Sequence, residues 1–316
     1  MRVLADLHHG ALYESLRLLF EKRLGGTVLR PLGMEWFDRG HWAYPHYARE
    51  TAAQFLDPAG SYKHPGISAV DFLDCNIWRD FDLMLSSTPD QFYAWERMRA
   101  EHGITIPHLF QMGNRWPVPH GCRFLLNSTT VPATADCHAV YYHQEFPLAD
   151  FEPPHDKPGK VIASLMHYMA EQDKRGWFDS LRAEMPDWTF LEHGAGGRDG
   201  AAPDVAAVTR AARYIYHPKK VEAYGYVVHQ AAACGVPLIM RAAANTHEAI
   251  GALLNPATCL DLDEYASPGH LADAIRRFDK EWWTHSLAIA RAFREHVDFD
   301  AEAARIAAWL QTVIVR

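Results

Sequence analysis

The 316-residue sequence predicts an α/β protein made of two doubly wound, Rossmann-like domains. Three observations lead there. The chain opens as strand, helix, strand, which requires a parallel pair joined by a crossover. The same alternation restarts after a Pro-rich, polar segment at 147–159, and the length is about twice the ~150 residues of an ordinary domain. The expected boundaries are 1–150 and 151–316.

The first strand is read at 2–7 and its helix from the apolar face of Leu12, Leu16, Leu19 and Phe20, ended by Gly25 and Gly26; a second strand follows at 27–32. From 31 to 65 the pattern is irregular and aromatic, with Trp36, Phe37, Trp42, Tyr44 and Tyr47 offering stacking surface. A strand at 81–86 runs into Thr88-Pro89-Asp90-Gln91, a capping box with proline at the first helical position, and Gly103 closes that helix. Strands are expected within 104–112, 123–126 and 139–143. After the linker come a strand at 160–165, a helix around 177–184, a strand at 188–192, a helix near 205–212 and a strand at 214–216. A helix from about Tyr226 ends at Gly235, a strand fills 236–240, a helix is expected at 246–254, and Ser267-Pro268 opens another. Everything after Asp279 reads as helical.

The net charge is −8, divided as −5 before and −3 after residue 155, so neither half is the basic module that backbone-driven nucleic-acid binding needs. Five cysteines without a C-x-x-C pair argue against a disulfide framework or zinc ribbon. No apolar leader and no apolar run of about 18 residues is present, so a cytoplasmic setting and no membrane span are expected.

Residues 218–239 carry the most chemistry. Glu222 and Gly225 lie in a turn just ahead of a helix, where free N–H groups and the positive end of the helix dipole make an anion site. Ala231-Ala232-Ala233 lets that helix approach its sheet closely, and Gly235 ends it. The run Glu222-Ala223-Tyr224-Gly225, then Gln230-Ala231 and Ala233-Cys234-Gly235-Val236-Pro237-Leu238-Ile239, resembles the signature of nucleotide-sugar-dependent glycosyltransferases of the GT-B fold. The likeness is to the retaining family 4 type, whose pattern is Glu-Gly-Phe-Gly, four residues, Glu-Ala-x-Ala-Cys-Gly-x-Pro-x-Ile.

The resemblance implies two Rossmann-like domains facing across a cleft, with terminal helices from about 280 to 316 packing back on the first. It implies that Glu222 holds the donor sugar. Gln230 stands where the family has a second acid and would hold the nucleotide ribose through its carbonyl, more weakly than a carboxylate does. Lys219, Tyr224, Gly225 and Tyr226 complete the donor site. Lys174 or Arg175, opening a helix, would neutralise the diphosphate, although the family's usual Arg after the preceding strand is missing; Gly194 and Gly196 would line the same cleft.

In the first domain His8, His9 and Gly10 follow the first strand. Either histidine serves as general base if transfer inverts configuration, whereas in a retaining reaction the donor phosphate accepts the proton. Each histidine equally suits helix capping or packing. Asp261-Leu262-Asp263 imitates a manganese motif of the other major transferase fold but falls after the donor signature, so no metal site is expected.

The function expected is transfer of a hexosyl or pentosyl group from a UDP- or GDP-sugar to an acceptor hydroxyl, with no permanently bound cofactor. Likeness of the first domain to phage-type transferases points to hydroxymethylated DNA as one acceptor, and the acidic charge counts against it. A nucleotide-sugar epimerase and a catalytically degenerate sugar-nucleotide binding protein are the alternatives.

Overall fold

The computed structural model describes residues 1–32 and 63–314; the aromatic segment from Trp36 to Tyr47 lies outside them. The chain divides into two compact units, Met1–Phe146 with Phe299–Arg316, and Pro147–Asp298.

Among the described residues, the first unit holds a parallel sheet ordered β3-β2-β1-β4-β5-β6-β7. Its strands are β1 (Arg2–Asp6), β2 (Thr27–Pro31), β3 (Gly66–Ile67), β4 (Leu83–Ser86), β5 (His108–Met112), β6 (Phe124–Asn127) and β7 (His138–Tyr141). Strand alternation sends Val3, Ala5, Leu83 and Leu85 to one face, where Tyr13, Leu16, Phe20, Ile306 and Leu310 cover them. Leu4 and Met84 go to the other, against Phe72, Trp95 and Met98. Both faces are therefore apolar, as a parallel sheet requires. Helix α1 (Gly10–Arg17) continues into a wider turn at Leu18–Arg23. The capping box opens α2 (Pro89–His102): Thr88 accepts from the Gln91 backbone N–H, the Gln91 side chain accepts from Thr88 N–H, and Gly103 at φ 64° ends the helix.

The second unit holds β8 (Val161–Leu165), β9 (Thr189–His193), β10 (Tyr214–His217), β11 (Leu238–Met240) and β12 (Cys259–Asp261), all parallel, in the order β12-β11-β10-β8-β9. Its helices are α3 (Arg175–Glu184), α4 (Val205–Ala211), α5 (Tyr226–Ala233), α6 (Pro268–Phe278) and α7 (Trp282–His296). Two expectations are corrected. Residues 246–254 form no α-helix: a Cβ on Gly251 would lie 2.1 Å from the Thr246 carbonyl oxygen, and the chain makes two short 3-10 turns, Ala243–Asn245 and Gly251–Leu253, around that close approach. Only Phe299–Ile314 is counted with the first unit, not the whole stretch from about 280. Helix α7 stays in the second unit because the Trp282 Nε1–H donates to the Arg213 carbonyl (2.9 Å) and Ser286 sits against Gly235, where a Cβ would come within 2.8 Å of its Oγ.

Candidate active site

In a doubly wound sheet, ligands bind beyond the carboxyl ends of the strands where the winding reverses. In the second unit that point lies between β8 and β10. Strand β10 ends at His217, and the chain passes through Pro218-Lys219-Lys220-Val221-Glu222 to α5. Gly225 precedes α5 at φ 76°, and a Cβ there would stand 2.5 Å from Ile250 Cγ2. Only glycine makes this turn, and a Cβ there would also lie 3.0 Å from Glu222 Cγ, so the opening of α5 stands beside Glu222.

Glu222 is 7% exposed, and its carboxylate is held from three directions. His217 Nε2 donates to Oε2 (2.7 Å); Lys219 Nζ (2.7 Å) and the Ala223 N–H (2.9 Å) donate to Oε1. Burial alone would raise its pKa, but the hydrogen bond and charge of His217, followed by those of Lys219, hold it down at about 2. The carboxylate is ionised throughout the neutral range. The Glu222 N–H donates to Asn245 Oδ1 (2.7 Å), and Asn245, fully buried, donates in turn to the carbonyls of Arg241 (2.8 Å) and Lys220 (3.3 Å). Asn245 is thus the clamp on the 218–222 loop. Neither His217 nor Asn245 stands out in the sequence; a histidine closing an apolar strand five residues ahead of Glu222 is the available signal.

Along α5, Tyr224 stacks on His229 with ring centroids 4.4 Å apart, Tyr226 is half-buried, and Gln230 is buried. Lys219, Glu222, Gly225 and Tyr226 are thus brought together at one strand end, with Gln230 on the same helix.

The two cations ahead of α3 separate. Lys174 is partly exposed, with Nζ 3.6 Å from the Trp177 ring centroid and 4.0 Å from Asp263 Oδ1. Arg175 turns inward: Nε (3.2 Å) and Nη2 (2.8 Å) donate to Glu192, which is 1% exposed, and Nη1 donates to Asp179. A guanidinium so engaged has little left for a diphosphate. Arg241 bridges Asp263 (2.9 Å) and Asp173 (2.7 Å) at the same rim. Asp261 accepts from the backbone of Ala243 and Asp263, so both acids of that pair already have partners. Gly194, at φ 132°, lets the loop after β9 lie against the Met166 carbonyl, 2.4 Å from where a Cβ would be; Gly196, at φ 76°, faces open space.

In the first unit the winding reverses between β1 and β4, and His8, His9 and Gly10 follow β1. His9 caps α1, its Nδ1 accepting from the Ala11 N–H (3.2 Å). His8 Nδ1 lies 2.7 Å from Ser87 Oγ and its Nε2 3.0 Å from Asn114 Nδ2. Ser87 Oγ donates to Gln91 Oε1 (3.3 Å), and Gln91 Nε2 to the buried Asp6 (3.2 Å). This relay is neutral next to the imidazole. Burial first, then the charge of His9, lowers the His8 pKa to about 4 against the pull of Asp6.

Because the folded pKa lies below the ordinary 6.5, the unfolded chain binds the extra proton first as pH falls. His8 therefore adds nothing to stability above pH 6.5 and costs about 1.4 kcal/mol per unit between 6.5 and 4. Urea denaturation across that window is expected to show a shallower loss for His8→Gln than for the parent. Equal slopes would mean that His8 titrates normally.

No protein-family model matches the chain, and no curated protein matches it. Solved structures are. HepE of Anabaena, solved with UDP and glucose, superimposes with TM-score 0.63 at 12% identity over 99% of this chain and 100% of its own. Sucrose-phosphate synthase of Thermosynechococcus elongatus gives 0.63 at 13% identity over 99% of both chains. The glycosyltransferase SnogD of Streptomyces nogalater gives 0.53 at 18% over 98% and 99%. The chain therefore has the GT-B fold.

Proposed function

We propose that this protein transfers a sugar from a nucleoside diphosphate sugar to an acceptor hydroxyl, with retention of configuration. The observation that carries the reading is Glu222: buried, ionised, held from three sides, and set beside the opening of α5 at the carboxyl edge of the sheet. A charge kept there at a cost in desolvation fits an acceptor for sugar hydroxyls. That HepE was solved with UDP and glucose supports a UDP-sugar as donor.

In this reading the positive end of the α5 dipole, with Lys219 and Lys174, stabilises the negative charge that gathers on the departing diphosphate, without a divalent ion. Gln230 accepts from the ribose. Tyr224 and Tyr226 pack beside the donor, and Gly194 and Gly196 leave room for it. Retention is supported by His8. Its imidazole, 2.7 Å from Ser87 Oγ and with its pKa near 4, is a weak base at neutral pH, so in this reading the donor phosphate takes the acceptor proton. His9, occupied as a helix cap, is a structural residue in this scheme. Gly10, on the donor side of this reading, lets substrate approach the backbone.

The test is a thermal titration with UDP, GDP, UDP-glucose and GDP-mannose, each with and without EDTA. Ligand at about 100 times its Kd stabilises the native state by ~2.7 kcal/mol, a rise of several degrees. A chelator-independent rise with one nucleotide family is expected, larger for its sugar conjugate. The absence of any rise in a cooperatively melting protein would overturn the proposal. With the donor known, hydroxymethyl-pyrimidine DNA, glycans and small hydroxyl compounds are the acceptor panel, and NMR of the product anomer reads the stereochemistry.

A further inference from the structure

We propose that His217 is the positioning residue of this site: its Nε2–H occupies one lone pair of Glu222 Oε2 and so selects the lone pair that meets the donor sugar. The proposal rests on the reading of Glu222 as the sugar-binding acid.

A carboxylate offers about four lone-pair directions and donates nothing when ionised. Lys219 and the Ala223 N–H take the two on Oε1, and His217 takes one on Oε2, which leaves one on Oε2 uncommitted. Because the carboxylate only accepts, His217 must carry its hydrogen on Nε2. The other nitrogen, Nδ1, is buried with no hydrogen-bond partner, on a side chain 3% exposed overall. A histidine kept for packing would satisfy both nitrogens or be replaced by an apolar residue without that penalty. What the imidazole supplies here is the single Nε2–H on Glu222.

Its placement suits the task. His217 is the last residue of β10, in register with Met240 on β11, so sheet hydrogen bonds fix its backbone. Lys219 lies on the loop with 40% of its side chain exposed, and a flexible ammonium cannot fix a direction as a ring on a strand does. The two groups divide the work: Lys219 supplies charge and His217 direction.

The experiment compares His217→Leu, which cannot donate, with His217→Gln, whose amide reaches about as far as Nε2 and donates. The probes are UDP and UDP-glucose, with GDP and GDP-mannose as the second pair, and the readouts are calorimetric affinity and release of nucleotide from the donor. For His217→Leu the sugar-dependent part of the affinity should disappear and nucleotide release fall at least ~100-fold, with affinity for the bare nucleotide within about threefold of the parent. His217→Gln should recover release to within about tenfold. A His217→Leu protein that keeps the sugar-dependent affinity overturns the proposal, as does equal loss of nucleotide and nucleotide-sugar binding in both variants.

Should His217→Leu not fold, His217→Met is read in the same way. Long-range 15N–1H spectra of the free protein, with His217 assigned from its missing signal in His217→Gln, give a ligand-free check: hydrogen on Nε2 is expected, and a tautomer with hydrogen on Nδ1 alone overturns the proposal. Glu222→Gln run in parallel separates the two readings. If it keeps the sugar-dependent affinity, the role of Glu222 fails. If it loses that affinity while His217→Leu keeps it, only His217 fails.

Discussion

Glu222→Gln is expected to lower transfer by about 10²–10³-fold while leaving a folded, nucleotide-binding protein. The amide has the shape of the carboxylate but no charge, and its NH2 would face donors where Oε1 or Oε2 now accepts from Lys219, Ala223 and His217. Stability should fall too. A carboxyl held at about 2 against the ordinary 4.5 contributes about 3 kcal/mol. The folded pKa is the lower one, so the contribution is complete above pH 4.5 and is lost as pH falls through 2. At pH 7 the variant should melt several degrees lower, yet cooperatively; at pH 3 the gap should narrow. Transfer near the parental rate, with the donor saturating, would remove Glu222 from the site.

The second large effect concerns the fold of the second unit. Arg175→Met should destabilise it by about 3–5 kcal/mol, because it leaves Glu192, 1% exposed, without its bidentate partner. Arg198, whose Nε is 3.7 Å from Glu192 Oε2, compensates little at that distance. Affinity for UDP, measured by calorimetry on the folded fraction, should stay within about threefold. Lys174→Ala should do the reverse, weakening UDP while barely moving the urea midpoint. If instead Arg175→Met keeps its stability and loses UDP, the guanidinium serves the diphosphate after all.

Local features of this chain are legible in its sequence, and contacts made by folding are not. The alternation of strands and helices, the capping box at Thr88 to Gln91 and the turn from Glu222 to Gly225 are local, and each was legible because the residues that cause it are neighbours. The 246–254 stretch misled because its apolar content suits a helix, while the approach of Gly251 to Thr246 belongs to the packed chain. Lys174 and Arg175, adjacent in sequence, looked interchangeable. They differ because Glu192, 17 residues beyond Arg175, is buried beneath the guanidinium and captures it.

The parallel α/β architecture follows from the sequence by itself, since periodicity and turn chemistry are properties of neighbouring residues, and the contiguous motif at 222–239 is what points to Glu222 as the acid of the proposed donor site. The tertiary structure alone decided which side chains are free to act. His217 and Asn245 attach to Glu222, Arg175 is consumed by Glu192, His9 becomes a cap, and His8 is backed by a neutral relay through Ser87. A polar group taken out of water must find a partner, and Asn245, 23 residues from Glu222, and Ser87, 79 residues from His8, come within reach only on folding.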